Sequence, residues 1–495
     1  MADITSGLSE RIGAVLSIDP SAPAIEFDGR WRSWGELAST VEAVAELVRE
    51  PGTSVGILLR SRPVPVGLLL GVLRAGGCVV AINPQRGVDR TSEELAELGL
   101  PIVAGEPADV ETHVDSRSSS TLVTTNDLGD ELRVAGSTAP WGGSPRDGVA
   151  VRMLTSGTTG PPKRIDLTYE TLVRVLAGAK HYEAAGRSGL SLRSGVAVVN
   201  SPLVHLGGLF RVLQCVNDGR SFSLLEKFTV DAWIDAVRRH RPRTVSLVPA
   251  ALRMVLEADL DPADLGSVQS VVSGTAPLSP DDAEAFTDRY GVPVLISYAA
   301  TEFGGGVAGW NLSDYRTSWA DKRGSVGRAH AGCKLRIVDP SSGDPLAPDE
   351  VGLLEVKAGQ LGPDTPWIRT TDLARIDGDG FLFILGRADQ AIIRGGFKVH
   401  PDDVRAALER HPRVRGAAVV GAEDERLGAV PVAVVELRPG PPVTSEELID
   451  SISGSLARYE LPNRVIIVES LPRTPSAKVD LVAIREMVAA ATLGS

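Results

Sequence analysis

The residue types best suited to chemistry crowd into one stretch, Met153-Leu-Thr-Ser-Gly-Thr-Thr-Gly-Pro-Pro-Lys163. Gly157 and Gly160 let the backbone curl so that its amides converge. The hydroxyls of Thr155, Ser156, Thr158 and Thr159 add donors, and Lys163 adds a positive charge. That combination suits a polyphosphate, whose oxygens call for many short donors and a cation; a solvated Gly/Thr turn is the alternative. A Walker-type loop needs a glycine immediately before the lysine and Ser or Thr immediately after it, to hold magnesium. Pro162 and Arg164 stand in those places, so the stretch reads as a nucleotide loop of another kind.

Further segments carry reactive groups. Ser297-Tyr-Ala-Ala-Thr-Glu-Phe-Gly-Gly-Gly306 sets the Glu302 carboxylate beside the Thr301 hydroxyl in a glycine-rich turn. Two hard oxygen ligands suffice for Mg²⁺ when phosphate oxygens and water complete the shell; a helix-capping Thr-Glu pair is the other reading. Ser273-Gly-Thr-Ala-Pro-Leu278 reads by itself as a turn. Asp372 and Arg387 lie fifteen residues apart around an Asp-Gly hairpin. The carboxylate could accept from both hydroxyls of a ribose, or the two could be surface charges. His205 lies in Pro202-Leu-Val-His-Leu-Gly-Gly208, and Lys478 closes Leu471-Pro-Arg-Thr-Pro-Ser-Ala-Lys478. A packing histidine and a solvated lysine would explain these two equally well.

Taken in chain order, the segments resemble the signatures of the adenylate-forming superfamily, which includes acyl-CoA synthetases, peptide-synthetase adenylation domains and luciferases. The resemblance runs from Ala24 to Lys478 and is most like an AMP-forming acyl-CoA synthetase. Ala299, Thr275, Thr371 and Ala477 replace glycines of the signatures, and 358–367 lacks the aromatic and asparagine residues that acyl-CoA ligases often carry there. The resemblance implies that Thr155 and Glu302 hold Mg²⁺, that Thr301 meets the phosphate and that Tyr298 stacks on adenine. Gly274, Thr275 and Ala276 would form the adenine-side loop, and Asp372 and Arg387 would contact ribose. Lys478 would enter the site to neutralise the reacting carboxylate and α-phosphate. It further implies that His205 borders the acyl site and that Arg394, Gly395, Gly396, Phe397 and Lys398 shape the thiol tunnel. Asp389, in Gly386-Arg-Ala-Asp389, would be the hinge. Gly304 and Gly305 leave room for a substrate of some bulk.

The expected reaction is ATP-dependent conversion of a carboxylic acid, fatty or aryl and larger than acetate, to acyl-AMP with release of pyrophosphate, followed by transfer to coenzyme A. A stand-alone adenylation enzyme loading a separate carrier protein is the first alternative. An inactive nucleotide-binding regulator is the second, opposed by the retention of Lys163, Glu302, Asp372, Arg387 and Lys478.

Such residues need a scaffold that brings distant loops together. Ala24–Phe27 and Arg30–Arg32 flank Asp28-Gly29, a strong hairpin signal. Ser33 and Glu36 follow at capping-box spacing, with Leu37, Val41, Val44 and Val48 on one helical face. Strands at 54–59 and 78–82 bracket a helix at 66–73, and the alternation resumes after the nucleotide loop, with a helix at 171–180 and strands at 196–199, 244–248, 270–272 and 294–296. This pattern predicts an α/β protein with a helix-covered, largely parallel sheet whose ligand lies beyond the carboxyl ends of the strands. Residues 105–147 are polar and weakly periodic and read as irregular. From about Asp389 the pattern becomes that of a compact α+β module, with a second capping box, Thr444 and Glu447, opening a helix expected to reach about Arg458. The expected organisation is therefore a large AMP-binding domain, 1–387, and a small domain, 388–495, that carries the lysine and rotates on a hinge.

Composition bounds the rest. A chain of 495 residues exceeds one ordinary core. A net charge of −12 gives no global reason to bind nucleic acid. Cys78, Cys215 and Cys333 are scattered and odd in number, which suits neither a disulfide framework nor a zinc site. The longest apolar stretch is about half the ~20 residues that a transmembrane helix needs, and the first residues lack a basic segment followed by an apolar one. The default expectation is a soluble, cytoplasmic protein.

Overall fold

The computed structural model describes residues 2–48, 50–115, 118–136, 145–154, 163–179, 190–395, 397–424, 426–474 and 478–493. Thr155, Ser156, Gly157, Thr158, Thr159, Gly160 and Gly396 lie outside the described residues.

The hairpin forms where the sequence places it. Asp28 and Gly29 take φ of 49° and 73° and join Pro23–Phe27 to Arg30–Ser33. Ser33 and Glu36 make the reciprocal capping box of the helix Trp34–Leu47, whose Leu37, Val41 and Val44 are buried. Two otherwise unpaired amides are thereby satisfied before the helix commits its apolar face to the core.

The first large sheet has seven strands. Thr121–Thr124, Ile102–Gly105, Ser54–Leu58, Cys78–Ile82 and Val149–Leu154 run parallel in that spatial order, with antiparallel Arg133–Ala135 and Arg164–Thr168 at the two edges. The helix Pro63–Arg74 is buried almost throughout, which is why its sequence reads as an unbroken apolar run. The expectation that 105–147 is irregular is corrected here. That region holds the helix Pro107–His113 and two strands of the sheet. Strands of three or four residues are too short to print a clear two-residue period.

A second sheet sets Thr244–Ser246, Ser270–Ser273 and Val294–Ala300 in parallel, followed by antiparallel Gly305–Gly309 and Arg328–Ala329. The strands Lys334–Val338, Gly352–Lys357, Ile368–Ile376 and Leu382–Arg387 form an antiparallel sheet.

The small domain has its own core. Its long strands Val414–Asp424 and Gly428–Leu437 are apolar on both faces because both faces are covered. Ala417, Val419, Ala433 and Val435 pack with Leu408 and Leu448. The intervening Ala418, Val420, Val432 and Val434 pack with Leu471, Ile484 and Val488. Neither cluster contains a buried residue before Ile392, as a unit with its own core requires. The second capping box forms as expected, but its helix is Ser445–Ile452 and stops short of Arg458. Among the described residues no helix is long and apolar enough to cross a membrane. Cys78 and Cys215 are buried and Cys333 is half-buried, all as free thiols.

Candidate active site

Glu302 sits in the one-turn 3-10 helix Thr301–Phe303 that follows the strand Val294–Ala300. Gly304 ends the turn with φ 71°, its amide donating to the Thr301 carbonyl at 2.9 Å. A Cβ at Gly304 would lie 2.7 Å from Thr171 Cγ2. Gly304 is therefore required by backbone conformation and by close packing on Thr171, and it opens no space for substrate, which corrects the expectation for that residue. The Glu302 side chain is exposed and accepts no hydrogen bond from the described residues. An exposed carboxylate with free oxygens fits one position in the shell of a hard cation that otherwise takes phosphate and water.

The ribose-side pair is set by register. Asp372 and Arg387 are directly opposite each other in the antiparallel strands Ile368–Ile376 and Leu382–Arg387. The fifteen-residue spacing thus becomes side-by-side placement. The Tyr298 hydroxyl donates to Asp372 Oδ2, joining the adenine-side and ribose-side candidates. Burial raises the pKa of Asp372. Arg387 donates to Thr371 Oγ1 at 2.6 Å and to both oxygens of Asp389, at 3.0 and 2.7 Å.

Thr275 and Tyr298 lie at the same, carboxyl, end of neighbouring parallel strands of the second sheet. Ser273 and Ile296 are register partners in parallel strands, and each candidate lies two residues further on. Gly274 packs so closely that a Cβ there would stand 2.8 Å from the Ser297 carbonyl oxygen. Thr275 takes φ 72°, a left-handed conformation unfavourable for a β-branched side chain. This is the position that the signature fills with glycine, and the backbone conformation is the reason. Ala276 is half-buried in the same loop.

Lys478 reaches the site from the small domain. Its loop closes on itself, with the Thr474 amide donating to the Lys478 carbonyl at 2.8 Å and Arg473 bridging Val479. Burial lowers the lysine's pKa, opposed by the charge of Glu302. His205 precedes the helix Leu206–Asn217. Burial pulls its pKa down to about 4, and the Lys478 charge acts in the same direction. His205 Nε2 is buried without a hydrogen-bond partner among the described residues. Lys478, Glu302 and His205, which are far apart in sequence, thus share one electrostatic environment. Gly207 beside His205 is exposed, and a Cβ there would meet nothing within 4 Å.

The expected thiol-side residues occupy a different face. Phe397 is 57% exposed and stacks on Tyr459 with ring centroids 4.7 Å apart. Both border an open cavity of about 360 Å³ together with Arg394, Gly395, Leu427 and Arg458. Lys398 is exposed beside them. Arg394 uses its guanidinium internally, donating to the carbonyls of Tyr459 and Leu461 at 3.0 and 2.9 Å and to Asn463 Oδ1 at 2.5 Å. Arg394 thereby ties the glycine turn to the loop bearing Tyr459, a structural part in the face that it was expected to shape.

Comparison with known proteins accounts for this arrangement. The AMP-binding enzyme family matches residues 16–363, and the C-terminal domain of AMP-binding enzymes matches residues 403–478. The chain belongs to the AMP-binding enzyme family. Within it, the chain is an AMP-forming acid–CoA ligase. It is similar to the indoleacetate–CoA ligase of Aromatoleum aromaticum, 29% identical over 98% of this chain and 99% of that protein. It is also similar to the 2-succinylbenzoate–CoA ligase of Bacillus velezensis, at 30% over 93% and 94%. Among solved structures, ATP-bound MatB from Rhodopseudomonas palustris superposes with a TM-score of 0.82 at 25% identity, covering 97% of this chain and 98% of that one. The large and small domains described above are those of this family.

Proposed function

We propose that this AMP-forming ligase activates an aryl or arylalkyl carboxylic acid and transfers it to coenzyme A, using the residues gathered around Lys478. Supporting the choice of acid is its likeness to ligases of indoleacetate and 2-succinylbenzoate. In the first half-reaction the acid's carboxylate attacks the α-phosphorus of ATP, forming acyl-AMP and expelling pyrophosphate. In the second, the thiol of CoA attacks the acyl carbon and AMP leaves.

The electrostatic problem lies in the first half. Two anions must meet, and at ~4 Å with an effective dielectric near 20 each like-charge pair costs about 4 kcal/mol. Lys478 supplies a cation at the point of meeting, and Lys163 supplies one at the phosphate loop. Glu302, with Thr155, would hold Mg²⁺, which when bound neutralises phosphate charge. Tyr298 and the loop bearing Gly274, Thr275 and Ala276 flank the base, and Asp372 accepts from the ribose hydroxyls. Neutral His205 lines the acyl entrance without adding charge. The observation that carries the reading is that half-buried Lys478 stands within electrostatic reach of both Glu302 and His205.

The test is a panel of indole-3-acetate, 4-coumarate, 2-succinylbenzoate, octanoate and acetate, read by pyrophosphate release with and without CoA. An aryl acid is expected to give a single-turnover burst alone and steady turnover to the thioester with CoA, while acetate is poor. Absence of acid-dependent ATP–pyrophosphate exchange across the panel overturns the proposal.

A further inference from the structure

Glu436 is a charged side chain in the small domain with only 3% of its surface exposed. Its Oε1 accepts from Arg415 Nη1 at 2.9 Å, and its Oε2 accepts from the Leu471 amide at 2.9 Å and lies 3.6 Å from Arg473 Nη2. Leu471 and Arg473 open the loop that ends in Lys478. The remaining donors of Arg415 cross to the large domain, where Nε and Nη2 hold the two oxygens of Glu257 at 2.9 and 2.6 Å. An unbroken set of charge-assisted contacts therefore runs from Glu257 through Arg415 and Glu436 to the base of the lysine loop. Nearby, Arg253 spans the same boundary, donating to Asp282 at 2.6 Å and to Glu409 at 3.3 Å.

The placement of Glu257 is informative. It is the last residue of the helix Pro249–Glu257, where the backbone dipole disfavours a carboxylate. Arg415 reverses that local penalty only while the small domain stands in the orientation seen here. Its pairing with Glu436 is internal to the small domain and survives a rigid-body rotation. The pair between Arg415 and Glu257, about a third exposed on both sides, is of the kind that solvent readily breaks.

We propose that Glu257, Arg415 and Glu436 are positioning residues for adenylation, seating the lysine loop so that Lys478 enters the nucleotide site and letting go at Glu257 when the small domain turns for thiol transfer. This rests on the role given to Lys478 above, and the test separates the two.

Glu257→Gln and Glu257→Lys alter a partly exposed residue outside the nucleotide site, and a thermal melt checks that each variant folds. In the full-length protein, Lys478 is labelled with acetic anhydride and quantified by peptide mass spectrometry, a readout that needs no substrate. Labelling is expected to rise several-fold in Glu257→Lys and less in Glu257→Gln. With indole-3-acetate, the pyrophosphate burst should slow roughly three- to tenfold, within the range of coupling in one charged network. Thioester formation from supplied indoleacetyl-adenylate and CoA should be unchanged or faster. Unchanged labelling overturns the proposal, as does faster labelling with an unchanged burst. Equal losses in both half-reactions with a lowered melting temperature also overturn it, as general loosening. If indole-3-acetate gives the parent protein no burst, the substrate reading fails, while the labelling arm still decides the relay.

Discussion

An ammonium group held away from water without an ion-pair partner is unfavourable unless a ligand repays it. Half-buried Lys478 is partly in that position: desolvation lowers its pKa, only partly offset by the charge of Glu302, and among the described residues its ammonium makes no hydrogen bond or ion pair. The expected consequence of Lys478→Ala is therefore a split between function and stability. Adenylate formation should fall by about 10²-fold or more, the scale for removing a preorganised charge from a reacting centre. Thioester formation from supplied acyl-AMP should suffer much less, and the melting temperature should hold or rise. Rapid-quench measurement of each half-reaction and a thermal melt check this; equal losses in the two half-reactions would contradict the assigned role. His205 differs in kind. With its pKa pulled to about 4, it is neutral at working pH and can shape the acyl entrance without repelling the neighbouring lysine.

Elements determine whether those residues arrive correctly. The turn Thr301–Phe303 presents Glu302 because Gly304 takes a left-handed conformation against Thr171, at the start of the helix Tyr169–Ala179. Gly304→Ala should cost about 1–2 kcal/mol for the backbone conformation alone, with more from the contact at 2.7 Å. Because the shift displaces Glu302, the variant should also need more magnesium for pyrophosphate release. Denaturant unfolding and a magnesium titration test the two parts, and an unchanged magnesium requirement would mean that the turn does not place the cation. The antiparallel strands carrying Asp372 and Arg387 are a second such case, since a one-residue slip would send one of the pair to the opposite face.

At the scale of the whole molecule, the two half-reactions proposed above conflict over the orientation of the small domain. Lys478 is half-buried within electrostatic reach of Glu302, while the Phe397–Tyr459 cavity is open and lined by small-domain residues. Rotation at the junction answers that conflict. The short turn Ala388–Gln390 lies between the strands Leu382–Arg387 and Ile392–Arg394, an element boundary of the sort that absorbs large dihedral changes. Asp389→Pro fixes φ near −65° and should leave the pyrophosphate burst while thioester turnover falls steeply. Asp389→Ala is the control, because it also removes the carboxylate that Arg387 holds but leaves the backbone free. Normal turnover of Asp389→Pro with CoA would move the hinge elsewhere, and loss of both half-reactions with a lowered melting temperature would indicate misfolding.

Much of this was legible in the chain alone, wherever the determinant is local. Asp28-Gly29, the Ser33–Glu36 and Thr444–Glu447 capping boxes and the alternating apolar strands depend on neighbours within a few residues. The ordered motifs from the nucleotide loop to Lys478 identified the family because residue type and spacing are what such signatures record. The short strands at 121–124 and 133–135 escaped notice because the sheet that they extend, rather than their own pattern, holds them extended. The tertiary structure alone decided that Gly304 serves packing, that Arg394 is spent on its own domain and that Glu257 reaches the lysine loop through Arg415 and Glu436. Glu257 and Arg415 lie 158 positions apart, and an ion pair at that separation leaves no periodicity or motif. It exists only once two independently folded cores have been set against each other.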